Sequence, residues 1–249
     1  MMSGLLSVWG MSIHSVMNFH SGYVLHARPY QETSLLLELF TLEQGRISAI
    51  AKGAKRPKSK TRGLLQPFSP LLLLCVGRGE LLTLTQVDAA RVPYPLQGRR
   101  LISAFYVNEL LVRLLNRWDA HPALFLNYQQ TLSQLGIGAC EQKTLRLFEK
   151  NLLQALGYGL PLLTRIKIDP EHYYFFDPEQ GPIHAENHGF SVNNIHHRSF
   201  KGSSLLNLEQ DILEDPRTLL DAKNILRQAL SVRLGAKPLE SRRLLAITG

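Results

Sequence analysis

The chain has 249 residues, 45% of them hydrophobic and 19% charged, which is enough apolar material for a packed core and excludes global disorder. The formal net charge of +8 points toward a polyanionic partner. With two cysteines, Cys75 and Cys140, there is no basis for a disulfide framework or an all-cysteine zinc site, and free thiols fit a reducing cytosol.

Residues 1–21 hold apolar pieces but no Lys or Arg before Arg28. A secretory signal wants a positive start, so none is expected. Met2, Met11 and Met17 are alternative starting points, and this stretch reads as a poorly ordered extension. No apolar run reaches the ~18 residues that would span a bilayer, so no membrane partner is expected.

From residue 22 to 97 the pattern is β. Tyr23–Ala27, Ser34–Thr41, Arg46–Ala51, Phe68–Val76 and Leu81–Val87 read as five short strands separated by turn residues. Between Glu43 and Glu80 there is no acidic residue, while Arg46, Lys52, Lys55, Arg56, Lys58, Lys60, Arg62 and Arg78 carry positive charge. These eight cations match the whole chain's surplus, so the excess is local and marks a candidate binding surface. The densest part, Lys52–Gly63, is bracketed by glycines and interrupted by Pro57, and it reads as a mobile loop. Five strands with a long basic connection after the third suit an OB-type barrel, a fold that binds oligonucleotides. An SH3-like barrel or a small open sheet has nearly the same signature.

Phe40 and Phe68 fall in apolar strands and read as core. Tyr30, in the Arg28-Pro29-Tyr30 break, is the best exposed aromatic of this region. A site rich in cations and poor in stacking platforms predicts binding through phosphates, tolerant of base sequence and of strandedness.

Residues 98–249 switch to helical periodicity. Helices are predicted over Arg99–Trp118, from Pro122 to about Leu135, and over Glu141–Leu156. Residues 160–200, rich in proline and histidine, read as a small β insert around His172–Asp177. Helices return at Ser204–Leu213, with Ser203 or Ser204 as cap, and at Pro216–Leu234, with Asp215 as cap. The predicted fold class is α+β: an N-terminal OB barrel followed by a mainly helical domain.

Catalytic signatures are missing. There is no Gly-x-Ser-x-Gly, no P-loop and no Gly-x-Gly-x-x-Gly opening a helix, so neither catalytic residues nor a cofactor are predicted. His184 and His188 are spaced i, i+4 but fall in a turn, and they read as loop histidines, not metal ligands. His26 reads as a structural histidine.

Several ordered segments resemble one family. Val24-Leu25-His26-Ala27-Arg28-Pro29-Tyr30 with Glu32-Thr33-Ser34 resembles the opening strand and turn of the RecO family. Ala51-Lys52-Gly53-Ala54-Lys55 resembles its basic loop, and Leu65–Leu71 and Gly77–Leu81 its next strand and turn. Tyr106–Leu111, Leu145–Glu149, Leu156–Gly159 and Gly235–Arg242 are similar to its helical half. The resemblance implies an OB barrel, binding of single- and double-stranded DNA, and annealing of complementary strands. It also implies partnership with RecR and with the acidic tail of the single-stranded-DNA-binding protein SSB, leading to RecA loading. The acid-free run itself puts Lys52, Lys55, Arg56, Lys58, Lys60 and Arg62 along the DNA path, with Arg28 and Arg46 adjacent. The resemblance also implies that Arg146 receives a tail carboxylate beside a pocket formed by Leu145 or Phe148; the competing reading is an ordinary surface arginine. The alternative is a generic OB nucleic-acid-binding protein without annealing activity. Some relatives carry a four-cysteine zinc module after the Gly157-Tyr158-Gly159 segment; residues 160–200 contain no cysteine, so a metal-free insert is expected here.

Overall fold

The structure, a computed structural model, describes residues 19–159, 166–185 and 199–247. Residues 1–18 of the expected N-terminal extension, and His188, His196 and His197 of the expected insert, lie outside the described residues.

Alternation of apolar residues builds the first domain. Strands β1 (His20–Tyr30), β2 (Ser34–Thr41), β3 (Gly45–Ala51), β4 (Leu71–Val76) and β5 (Leu81–Ala89) close into a barrel of order β1-β2-β3-β5-β4. All pairs are antiparallel except β3 with β5, and β1 closes the ring on β4. That is the OB arrangement. Every second residue points inward, so Leu37, Leu39, Ile47, Ala49, Leu71, Leu73, Leu82 and Leu84 fill the interior.

The fourth strand starts later than its apolar run suggests. Pro67 and Pro70 lack the N–H a ladder needs, and Phe68 takes φ +66, turning the chain out of the sheet. Phe68 is buried and meets Phe105 edge-on, with ring centroids 4.9 Å apart.

Helices α1 (Gly98–Leu114), α2 (Pro122–Ile137) and α3 (Glu141–Ala155) follow. Helix α1 stops short of the expected Trp118, which lies in the α1–α2 connection. A small sheet comes next, of β6 (Tyr173–Asp177), β7 (Gly181–His184) and β8 (Phe200–Lys201), in the order β7-β6-β8. Three helices complete the chain: α4 (Gly202–Glu209), α5 (Pro216–Leu234) and α6 (Glu240–Ile247). Asp215 caps α5 by accepting the Thr218 N–H at 2.8 Å. Helix α4 instead starts from Lys201 without a side-chain cap, so neither Ser203 nor Ser204 takes that role. Among the described residues no helix is long and apolar enough to cross a membrane.

The outer side of the barrel and the helices share a second core, distinct from the barrel interior. Tyr23 and Phe40, on β1 and β2, pack on Phe125 and Tyr128 of α2 with ring centroids 5.1 to 5.9 Å apart. A shift of register between Val24 and His26 frees the Leu25 carbonyl, which accepts from Asn108 Nδ2 at 2.9 Å. Tyr128 donates its hydroxyl to Asn108 Oδ1 at 2.7 Å, so this buried amide has both ends paired. Phe125→Ala should destabilise the protein by about 3–5 kcal/mol. Urea melts should show barrel and helices unfolding in one transition; two separated transitions would mean the domains do not share this core.

Candidate nucleic-acid interface

The β3–β4 connection differs from the mobile loop expected of its composition. Ala54 and Leu65 are buried in the barrel core and plug its end. The connection's backbone is held by turn hydrogen bonds, among them Arg56 N–H to Gly53 O and Ser59 N–H to Arg56 O. Lys55 donates its N–H to Thr33 O at 2.8 Å, fastening the loop to the β1–β2 turn. The Ser59 and Thr61 hydroxyls share a further bond of 2.9 Å. Two apolar anchors and a ladder of turns make an ordered ledge.

On that ledge Lys52, Arg56, Lys58, Lys60 and Arg62 are exposed, and Lys55 is partly so. Arg28 is exposed on the neighbouring end of β1. Among the described residues none of these seven has a carboxylate within salt-bridge distance, whereas thirteen other pairs do form. Among the described residues their charge is therefore uncompensated, the arrangement a phosphate chain would neutralise.

Arg46 departs from the sequence expectation. It sits at the start of β3, with its side chain only 15% exposed, and donates to Glu38 Oε2 at 3.1 Å. Burial lowers its pKa against the pull of Glu38. The same carboxylate accepts from Ser48 at 2.7 Å and from Arg117 at 3.0 Å. Eight residues separate Arg46 from Glu38 in sequence, but the β2–β3 hairpin makes them neighbours, so this cation is spent inside the protein. His26 is exposed on β1, not enclosed as a structural histidine would be.

A second charged feature lies on the helical half. A cleft of about 190 Å³ is lined by Arg99, Tyr106, Leu145, Arg146, Glu149, Lys223, Arg227, Arg242 and Leu245, among others. Arg146 and Leu145 do line it, but Phe148 is fully buried in the shared core and does not reach it. Spacing on one helix cannot separate these cases, because Leu145 and Phe148 belong to the same apolar stripe. Arg146 is itself buried and donates to Glu149 Oε1 at 2.5 Å. Its Nε has no hydrogen-bond partner among the described residues. Tyr106 donates to the same Glu149 oxygen at 2.6 Å; burial and that negative charge push its phenol pKa well up, so it remains a donor. Helix α6 supplies Arg242 and Leu245, and it is held by Glu109, whose carboxylate accepts the Glu240 and Ser241 N–H groups at 3.0 Å. Sequence reading missed α6 and with it this wall of the cleft. Its signal was the Glu240-Ser241-Arg242-Arg243-Leu244-Leu245 stretch behind Pro238, a short segment without glycine or proline that mixes cations with leucines.

In the insert, His172 accompanies Asp169 at 3.3 Å, and its ring lies 6.3 Å from that of His184. No cluster of three or more His, Cys, Asp or Glu suited to a metal ion occurs among the described residues.

Two family models match the chain, described as Recombination protein O N terminal over residues 17–92 and Recombination protein O C terminal over residues 95–243. A DNA repair protein RecO of Nitrosococcus oceani is 45% identical over 227 residues, covering 90% of each chain. That of Nitrosospira multiformis is 44% identical, covering 90% of this chain and 92% of its own. That of Thiobacillus denitrificans is 41% identical over 249 residues, covering 95% and 94%. The OB-ordered barrel, the helical half with its small sheet, and these matches along nearly the whole length agree: the chain belongs to the RecO family of DNA repair proteins, which is not an enzyme family.

Proposed function

We propose that this protein is a recombination mediator at the nucleoid: it binds single- and double-stranded DNA on the basic ledge, anneals complementary strands, and works with RecR to exchange SSB for RecA. The observation that carries this reading is the ordered group of uncompensated cations, Arg28, Lys52, Lys55, Arg56, Lys58, Lys60 and Arg62. Two strands held on one cationic surface repel each other less. Contacts made to phosphates leave the base edges free to pair, so annealing needs proximity and charge neutralisation, with no bond chemistry. Order in the ledge helps as well, since little backbone entropy is lost on binding.

The helical cleft is the site proposed for the SSB tail, which is acidic and ends in apolar residues. Lys223, Arg227 and Arg242 offer positive charge at its rim, and Leu145 and Leu245 offer an apolar wall. Arg146 lines the same cleft, and in this reading its guanidinium takes a carboxylate of the tail.

If about five phosphates of a single strand are neutralised, log affinity should fall with log salt at a slope of roughly −3.5. Replacing Lys55, Arg56 and Lys58 together by alanine should flatten that slope by about 2 and slow annealing of complementary oligonucleotides. An unchanged slope would move the DNA site elsewhere, and binding without acceleration of annealing would favour a plain nucleic-acid-binding protein. For the cleft, Lys223→Glu with Arg227→Glu should weaken binding of a fluorescent acidic tail peptide by about tenfold or more. Undiminished binding would remove the tail from this cleft. These rim residues are the better test, because loss of Arg146 would also leave Glu149 buried without its cation.

A further inference from the structure

The DNA-binding reading leaves the exposed indole of Trp118 without a role, and the inference that follows rests on that reading. Trp118 is 43% exposed and takes φ +61, a left-handed conformation that is costly for a bulky residue. Such a conformation persists only where the surroundings over-determine it, and it recurs at ligand sites.

The surroundings here are the barrel. Trp118 donates its N–H to the Arg46 carbonyl at 3.0 Å, and Arg117 forms a bridge with Arg46 in the manner of a parallel strand. The Arg117 guanidinium is fixed on Glu38 at 3.0 Å. Gly45 has to be glycine, because a Cβ there would lie 1.9 Å from the Asp119 carbonyl oxygen. Three successive residues of the helical half, 117 to 119, are thus clamped to the first turn of β3. An indole that belongs to the other domain in sequence is mounted on the barrel.

The barrel surface beside it is the outward face of β2, β3 and β5. Inward residues alternate with Leu36, Glu38, Ser48 and Ile50; Leu36 and Ile50 are cross-strand partners, both half-buried, while Ser48 is buried against the Glu38 carboxylate. Leu81 opens β5 beside Ser48 and is 42% exposed. At one end of β3 stand the free cations, beginning with Lys52. At the other end stands Trp118. Seven strand residues separate the two by about 20 Å, within the reach of the ~4–16 nucleotides that one OB barrel covers. Around Trp118, Arg46 and Arg117 are spent on Glu38, and Arg117 also meets Glu80 at 3.7 Å. With the exposed carboxylates of Glu80 and Asp119 also beside them, no surplus of positive charge remains there to hold phosphate, so the contact this end favours is with a base.

We propose that Trp118 is a base-stacking platform for single-stranded nucleic acid: a strand held by its phosphates on the ledge crosses the β2–β3 face, and an unpaired base stacks on the indole. In a duplex each base already stacks on its neighbours and offers no free face. The platform therefore distinguishes single from double strands, which the cations do not.

The test uses the full chain with Trp9→Phe, since Trp9 is the other tryptophan. Oligo(dT) should quench Trp118 fluorescence, and a duplex of equal length should not. Trp118→Ala should weaken oligo(dT) binding by about 5- to 100-fold, leave duplex binding within about twofold, and leave the salt slope as it was. Trp118→Phe should recover most of the loss. Should the alanine variant fold poorly, Trp118→Gly relieves the left-handed backbone and should show the same selective loss. Unchanged oligo(dT) affinity in these variants, or equal losses on both forms of DNA, overturns the proposal. Failure of the parent reading looks different: alanine replacements in the ledge would then leave the salt slope intact whatever Trp118 does.

Discussion

The contact on which the rest of the molecule depends is the aromatic junction of Tyr23 and Phe40 with Phe125 and Tyr128. It turns one wall of the barrel, the outer side of β1 and β2 near the bulge, into half of the helical core. A five-strand barrel of this size encloses few side chains, several of them alanines, and its stability needs that second partner. Asn108 makes the junction specific: its amide fits only where a bulged carbonyl and a tyrosine hydroxyl wait for it. Once that wall is covered, the barrel's remaining surface is divided. The plugged end carries the basic ledge, and the start of β3 receives the α1–α2 connection.

Charge in this protein is sorted by partner, not by residue type. Arg46, Arg117 and Arg146 are each paired with a carboxylate that is itself half-buried or buried, and their removal would expose the protein to the cost of an orphaned charge. The ledge residues carry no such obligation. The same guanidinium group is a structural bolt on β3 and a free counterion ten residues later. What separates them is whether the fold brings a glutamate across from the neighbouring strand.

Much of this was legible in the sequence because it is local. Period-two leucines marked the strands, Asp215 before Pro216 marked a helix start, and the acid-free run marked the ledge. What escaped depends on residues far apart in the chain. Glu38 meets Arg46 only through the hairpin register, so an arginine inside the basic run was counted as free. Ala54 and Leu65 order the loop by entering a core that composition does not reveal. Phe148 and Leu145 share a stripe, and only the packing of α3 on its neighbours decides which one faces the cleft. Trp118 looked like the last turn of a helix, because nothing in its own neighbourhood announces that residues 117–119 are bound to β3. The glycine that allows this, Gly45, shows its purpose only when Asp119 is seen against it.

The central claim is that the free cations of the β3–β4 ledge are the surface on which DNA lies, and lysine footprinting tests it most directly. With the intact protein, brief acetylation followed by peptide mass analysis, with and without a short single strand, reports which ammonium groups the DNA covers. The account predicts protection of Lys52, Lys55, Lys58 and Lys60, with Lys223 and Lys237 on the helical half unchanged. Protection confined to the helical lysines, with the ledge as reactive as in the free protein, would contradict it.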